Sequence, residues 1–150
     1  MAVLENGFPF DNVEYDATAL GAWLSTRTRG VFSAEDHYTV TLAGGMQVNV
    51  SSGIAWLKMN EQWGMVAPNP AAITLSVDVG DTILNRIDVA CLRIDKNQSV
   101  EEVVIKKGEL AATPAYPALV RDLNYDEVYL AAISVPAGTT ELSAALITDL

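Results

Sequence analysis

The sequence predicts a mainly β domain, an antiparallel β-sandwich or barrel-like fold with one N-terminal amphipathic helix. Three observations carry this expectation. Residues 38–50 alternate apolar and polar side chains on both sides of Gly44-Gly45, the pattern of a half-buried hairpin with a tight turn. Residues 87–94 form a longer run of aliphatic and β-branched side chains, as a strand buried on most of its length requires. Between these runs Gly, Pro, Asn and Ser recur at strand-length intervals, the punctuation of an all-β domain.

The chain of 150 residues fits one globular unit, read as an arm and helix over 1–30 followed by a β-sandwich over 31–150. Residues 1–15 read as an extended arm punctuated by Gly7 and Pro9. A helix of about three turns follows. Asp16 is placed to cap it, Tyr15 and Leu20 are spaced as a hydrophobic staple, and Leu20, Trp23 and Leu24 form an apolar stripe. Arg27 and Arg29 suit its C-terminal end, and Gly30 suits a left-handed cap. The stripe has two readings: it packs on the sheet of its own subunit, or it docks the helix onto a neighbouring subunit.

The strands then follow in order. Residues 38–42 and 46–50 form the first hairpin, 54–58 and 63–66 a second, and 73–77 another half-buried strand. Pro68-Asn69-Pro70 cannot continue a central strand, because proline donates no ladder bond. Residues 87–107 form a hairpin about the polar loop 96–99, and 108–119 are a proline-punctuated connection across one end of the sheet. Residues 126–135 read as a strand ended by Pro136-Ala137-Gly138, and 142–150 as a short final strand or turn.

Composition narrows the partners. A net charge of −10 and a pI near 4.3 make nucleic acid and anionic membrane surfaces poor partners, since both repel an acidic surface. A mean hydropathy of +0.21 with no apolar run long enough to span a bilayer implies surface covered by partners or by copies of the same chain. The single cysteine, Cys91, lies in the apolar strand and reads as a core residue. The N-terminus lacks the basic and apolar regions of a secretory signal, so synthesis in a cytoplasm is expected, and the sequons at Asn49 and Asn97 read as chance matches.

No catalytic, metal or cofactor constellation emerges, and the chain reads as a non-enzyme. His37, the only histidine, stands beside Glu35 and Asp36 at a strand entrance and reads as solvated. One histidine and one cysteine cannot assemble a His/Cys zinc site in one chain. Asp78, Asp81, Asp88 and Asp95 are the carboxylates that a polysaccharide-cleaving pair would draw on. Asp78 and Asp81 read as turn residues, and Asp88 and Asp95 as strand ends or partners of Arg86 and Arg93. The calcium-loop pattern that begins at Asp95 fails, with Val100 at the glycine position and Lys106 at the glutamate position. Trp56 and Trp63, one hairpin apart, read as core-packing residues and are also the candidate carbohydrate-stacking residues, with Trp63, next to the polar turn, the one expected to be exposed if either is.

Several short segments, in order along nearly the whole chain, carry a resemblance. They are Leu84-Asn85-Arg86-Ile87-Asp88 with Leu92-Arg93-Ile94-Asp95, Ile105-Lys106-Lys107-Gly108, and Pro114 with Pro117-Ala118-Leu119. Upstream lie Gly30-Val31-Phe32 and residues 50–56; downstream lie residues 130–135 and Ile147-Thr148-Asp149. In these the chain resembles the N-terminal domains of tail-fibre, receptor-binding or baseplate proteins of tailed bacteriophages, or prophages, of Gram-positive hosts. The resemblance implies a virion structural protein made in the host cytoplasm, an oligomerising attachment domain of a tail tip. It implies a homotrimer, other baseplate and tail proteins as partners, and host cell-surface polysaccharide as a further one. The family continues into a longer fibre or receptor-reading region; the sequence stops at Asp149-Leu150 without one, as either a short accessory version or a domain cut at its edge would, and receptor binding by these residues is not expected. A carbohydrate-binding module and a polysaccharide-cleaving tail enzyme are the alternative functions.

Overall fold

A computed structural model describes residues 11–150 and confirms a mainly β architecture with one α-helix near the front. Residues 1–10 of the expected arm, including Gly7 and Pro9, lie outside the described residues. Helix α1 spans Ala17–Leu24, and the strands are β1 (Gly30–Val31), β2 (Val40–Gly44), β3 (Gln47–Val50), β4 (Gly53–Asn60), β5 (Trp63–Asn69), β6 (Ile73–Ser76), β7 (Arg86–Asp95), β8 (Val100–Lys106), β9 (Tyr125–Val135) and β10 (Ile147–Asp149). They pair antiparallel in three sheets, ordered β1-β4-β5, β2-β3-β6 and β10-β9-β7-β8.

The four-stranded sheet is the centre of the molecule. One face packs Ala90, Leu92, Ile94, Val128 and Leu130 against Ala55, Leu57 and Ala67 of the β1-β4-β5 sheet. Further along, Ile133 and Val135 meet Val48 from the β2-β3-β6 sheet, together with Val77 and Leu142. The opposite face carries Val89, Cys91 and Ala132 and is roofed by Leu119 of the 108–120 connection. β7 is thus apolar on both faces, which is why its sequence runs almost without alternation. At Ala90/Cys91 the register with β9 slips, from Ala90↔Ala131 to Cys91↔Tyr129, and the intervening Leu130 still points into the core.

Several sequence expectations are corrected in detail. The helix has about two turns rather than three. Asp16 does cap it, its Oδ1 accepting from Thr18 N and Ala19 N at 2.9 and 3.1 Å. At the other end the Ser25 and Thr26 hydroxyls donate to the Ala22 and Trp23 carbonyls and close the last turn early. Arg27, Arg29 and Gly30 therefore lie beyond the helix, and Gly30 belongs to β1 with φ +142°. The first hairpin starts at Val40 because Tyr38 turns into the core with φ +55° and donates its hydroxyl to Ala67 O at 3.0 Å. β5 continues through Pro68 to Asn69, which proline tolerates because β5 is an edge strand.

The reading of the helix stripe as packing on its own sheet is overturned. Ala19 and Gly21 are the residues that α1 buries, while Leu20 and Trp23 stay 48% and 51% exposed and Leu24 is half-buried. The cause is steric. A Cβ on Gly21 would fall 2.4 Å from Trp63 Cδ1, and one on Gly64 of β5 would fall 2.3 Å from the Leu24 carbonyl. Glycine on both sides lets the helix backbone lie directly on the strand, and that contact directs the bulky side chains outward.

Candidate functional site

The outward face of α1 gathers the features that distinguish this surface. Leu20 and Trp23 are two of the exposed large apolar residues, and just past the helix the Arg27 guanidinium lies over two indole rings. Its Cζ is 6.0 Å from the centroid of Trp23 and 5.3 Å from that of Trp56. Both are cation–π distances, and Trp is the best ring for that contact. Trp56 reaches this face by strand alternation: its neighbours Ala55 and Leu57 point into the core, so the indole points away from it.

Core packing is therefore the wrong role for the two tryptophans. Neither belongs to a core cluster, and both are half-buried. Trp56 lies under Arg27 and Trp63 under Gly21, so each ring has a neighbour laid against it. Exposure does not favour Trp63 over Trp56 as the sequence led one to expect, because the helix sits on Trp63.

The carboxylates singled out from sequence have structural partners. Asp81 Oδ1 accepts from Ile83 N and Leu84 N and shapes that turn; Asp95 Oδ1 does the same for Asn97 N and Gln98 N. Turn hydrogen bonds, first those from Leu84 N and Gln98 N respectively, hold both groups below their ordinary value. Asp78 pairs with Lys107 at 2.7 Å. Asp88, fully buried, pairs with Arg86 at 2.9 Å and also accepts from Gly108 N. Arg86 in turn donates to the carbonyls of Asp78 and Val79, so this pair nails two connections to the start of β7. Arg93 bonds Glu102 rather than Asp95. His37 Nδ1 accepts from Ile54 N at 2.8 Å and its ring stands 5.2 Å from Phe32, so it joins the chain before β2 to β4 rather than being merely solvated.

Sequence reading missed the roles of two buried acids and of one exposed base. Asp126 accepts from Arg29 Nε and Lys58 N on the core side of β9, and Glu127 accepts from Lys106 Nζ and Val120 N on the other side. Their adjacency in a strand, where successive side chains point to opposite faces, is the signal that could have found them. Arg27 stands four residues after Trp23, a spacing that hints at contact even just past the end of a helix. A cleft of about 540 Å³, lined by Lys107, Glu109, Thr113 and Tyr116 among others, opens within the 108–120 connection, where Lys107 is drawn off by Asp78. Among the described residues no cluster of three or more His, Cys, Asp or Glu side chains stands together as metal ligands, and no helix is long and apolar enough to cross a membrane.

Comparison with protein-family models, with curated proteins and with solved structures found no match to this chain.

Proposed function

We propose that the chain is a virion structural protein of a phage tail tip or baseplate, the attachment domain of a tail-fibre or receptor-binding protein, and that it associates with copies of itself through the outward face of α1. The observation that carries this reading is the inverted helix, which buries Ala19 and Gly21 and leaves Leu20 and Trp23 about half exposed. A Trp and a Leu half in water on a short helix are an unfavourable arrangement for an isolated domain and a favourable one for a subunit whose face is covered on assembly. The sequence resemblance set out above supplies the class of assembly, a trimer with other baseplate proteins as neighbours. It also supplies the virion as location.

The test is the mass of the purified chain by size exclusion with light scattering across a range of concentrations. A trimer or other closed ring is expected, with Leu20→Ser and Trp23→Ala shifting it towards monomer. A monomer at every concentration overturns the self-associating part of the reading. Sugar binding lost in Trp56→Ala or Trp63→Ala would then replace it with a carbohydrate-binding module. Turnover of a cell-wall polysaccharide abolished by one Asp→Asn change would replace it with a cleaving enzyme.

A further inference from the structure

Arg27 stands apart from the other cations of the chain in the company it keeps. The chain has nine lysines and arginines against nineteen aspartates and glutamates. Arg29, Lys58, Arg86, Arg93, Lys106 and Lys107 each bond a carboxylate of the same chain. Lys96 and Arg121 donate to the carbonyls of Asp122 and Glu127. Arg27 is the exception: among the described residues its guanidinium contacts the faces of Trp23 and Trp56 and bonds no oxygen, only its backbone N–H donating to the Leu24 carbonyl. A guanidinium laid over aromatic rings keeps its edge donors available, and those donors match a carboxylate in bidentate geometry.

We infer that Arg27 is the ionic anchor of the α1 face and that it receives a carboxylate from a second copy of this chain. This rests on the self-associating reading above and adds the chemistry of the partner. Covering Leu20, Trp23 and Trp56 with any protein surface also strips water from Arg27. An unpaired buried cation opposes association, so the covering surface must return an anionic acceptor. A second copy has carboxylates to give: Glu14, Glu35, Asp36, Glu109 and Glu141 are exposed and have no ion-pair partner among the described residues. Tryptophan and arginine side by side, ringed by less costly contacts, are also the residue types in which binding energy concentrates at protein interfaces.

The experiment compares the mass-against-concentration curves of the wild-type chain, Trp23→Ala, Arg27→Lys and Arg27→Glu, with far-UV circular dichroism and thermal midpoint measured on each. Arg27 is exposed, so its variants are expected to fold with unchanged midpoints. Arg27→Glu is expected to weaken self-association about thirtyfold or more, Arg27→Lys less because charge is kept while the planar fork is lost, and added salt is expected to weaken the wild type. Dissociation by Trp23→Ala with an unaffected Arg27→Glu overturns the carboxylate partner and leaves the docking helix standing. A wild type that is monomeric throughout overturns both. A lowered midpoint in Arg27→Glu with unchanged mass makes Arg27 an internal prop and overturns the inference. So does Arg27-dependent binding of a polyuronate such as alginate to a monomeric chain, which would assign the face to an acidic polysaccharide.

Discussion

The Asp126 carboxylate on β9 receives the Arg29 guanidinium at 2.8 Å and the backbone N–H of Lys58 at 2.9 Å, and so joins the segment after α1, strand β4 and the central sheet at one buried point. The Asp126 side chain is fully buried, whereas Arg29 keeps 19% of its side chain exposed and has a second partner in Glu61 at 3.1 Å. That asymmetry orders two mutations. Arg29→Ala strands a buried carboxylate and is expected to cost about 4 kcal/mol, while Asp126→Ala leaves an arginine that can turn to Glu61 and water and is expected to cost about 2 kcal/mol. Urea unfolding of both variants checks the order, and equal losses would mean that burial does not govern this pair.

The contact between α1 and β5 sets a second expectation. A methyl at Gly64 would meet the Leu24 backbone carbonyl, which cannot rotate away as a side chain can. Gly64→Ala is therefore expected to cost about 2 kcal/mol and to lift the helix from the strand, seen as changed tryptophan fluorescence. Unchanged fluorescence and stability would show that the helix is free to shift.

Glu127 governs the roof over the central sheet. Its Oε2 accepts from Val120 N at 2.6 Å and from Lys106 Nζ at 2.7 Å, and next to Val120 lies Leu119, which packs against the cluster of Val89, Cys91 and Ala132. Glu127→Ala is expected to release the 108–120 connection, speed hydrogen exchange at the Val120 amide and open Cys91 to a thiol reagent, while Glu102→Ala, nearer solvent, leaves Cys91 protected. Equal thiol reactivity in the two variants would remove Glu127 from this role.

The pH dependence has two limbs of opposite sign. Burial pushes the Cys91 thiol from 9.0 up to about 12, with the Glu127 charge adding to it, and burial pushes the Tyr38 phenol from 10.0 up to about 12, with Glu101 adding to it. Above pH 9 the unfolded chain loses these protons before the folded chain does, so the stability they confer is complete below about pH 9 and declines between about pH 9 and 12. For Cys91 alone the slope reaches about 1.4 kcal/mol per pH unit at most. On the acid side Asp81, Asp95 and Asp122 are held below the ordinary 3.8, first by the N–H groups of Leu84, Gln98 and Tyr125. Their contribution is present above that value and is lost as pH falls through it and below. Urea titrations at pH 3, 7 and 10.5 should show the maximum at pH 7, with Cys91→Ala flattening the alkaline limb; an unchanged limb would exclude Cys91 as its source.

The amino-acid sequence by itself determined the class of fold and most of its strands. Gly44-Gly45 between alternating runs specifies the β2–β3 turn, Lys96 to Ser99 specifies the β7–β8 turn, and Asp16 sets the helix start, because each acts through neighbours along the chain. The two-residue β1 and the β10 pairing carry too little local pattern to be read that way, and only their partners β4 and β9 define them. Which face of α1 turns inward was likewise a tertiary decision. The helical stripe favours Leu20, Trp23 and Leu24, but two glycines, Gly21 and Gly64, permit a backbone approach that no bulky face could match. The same holds for Asp126 and Glu127, which sit in the sequence as ordinary acids. Strand alternation sends them to opposite faces of the central sheet, and only folding brings Arg29 and Lys106, distant in the chain, within reach of them. Local propensity acts over a few residues, and the site-defining contacts span tens of them, so the strands were legible from the chain and the surface they present was not.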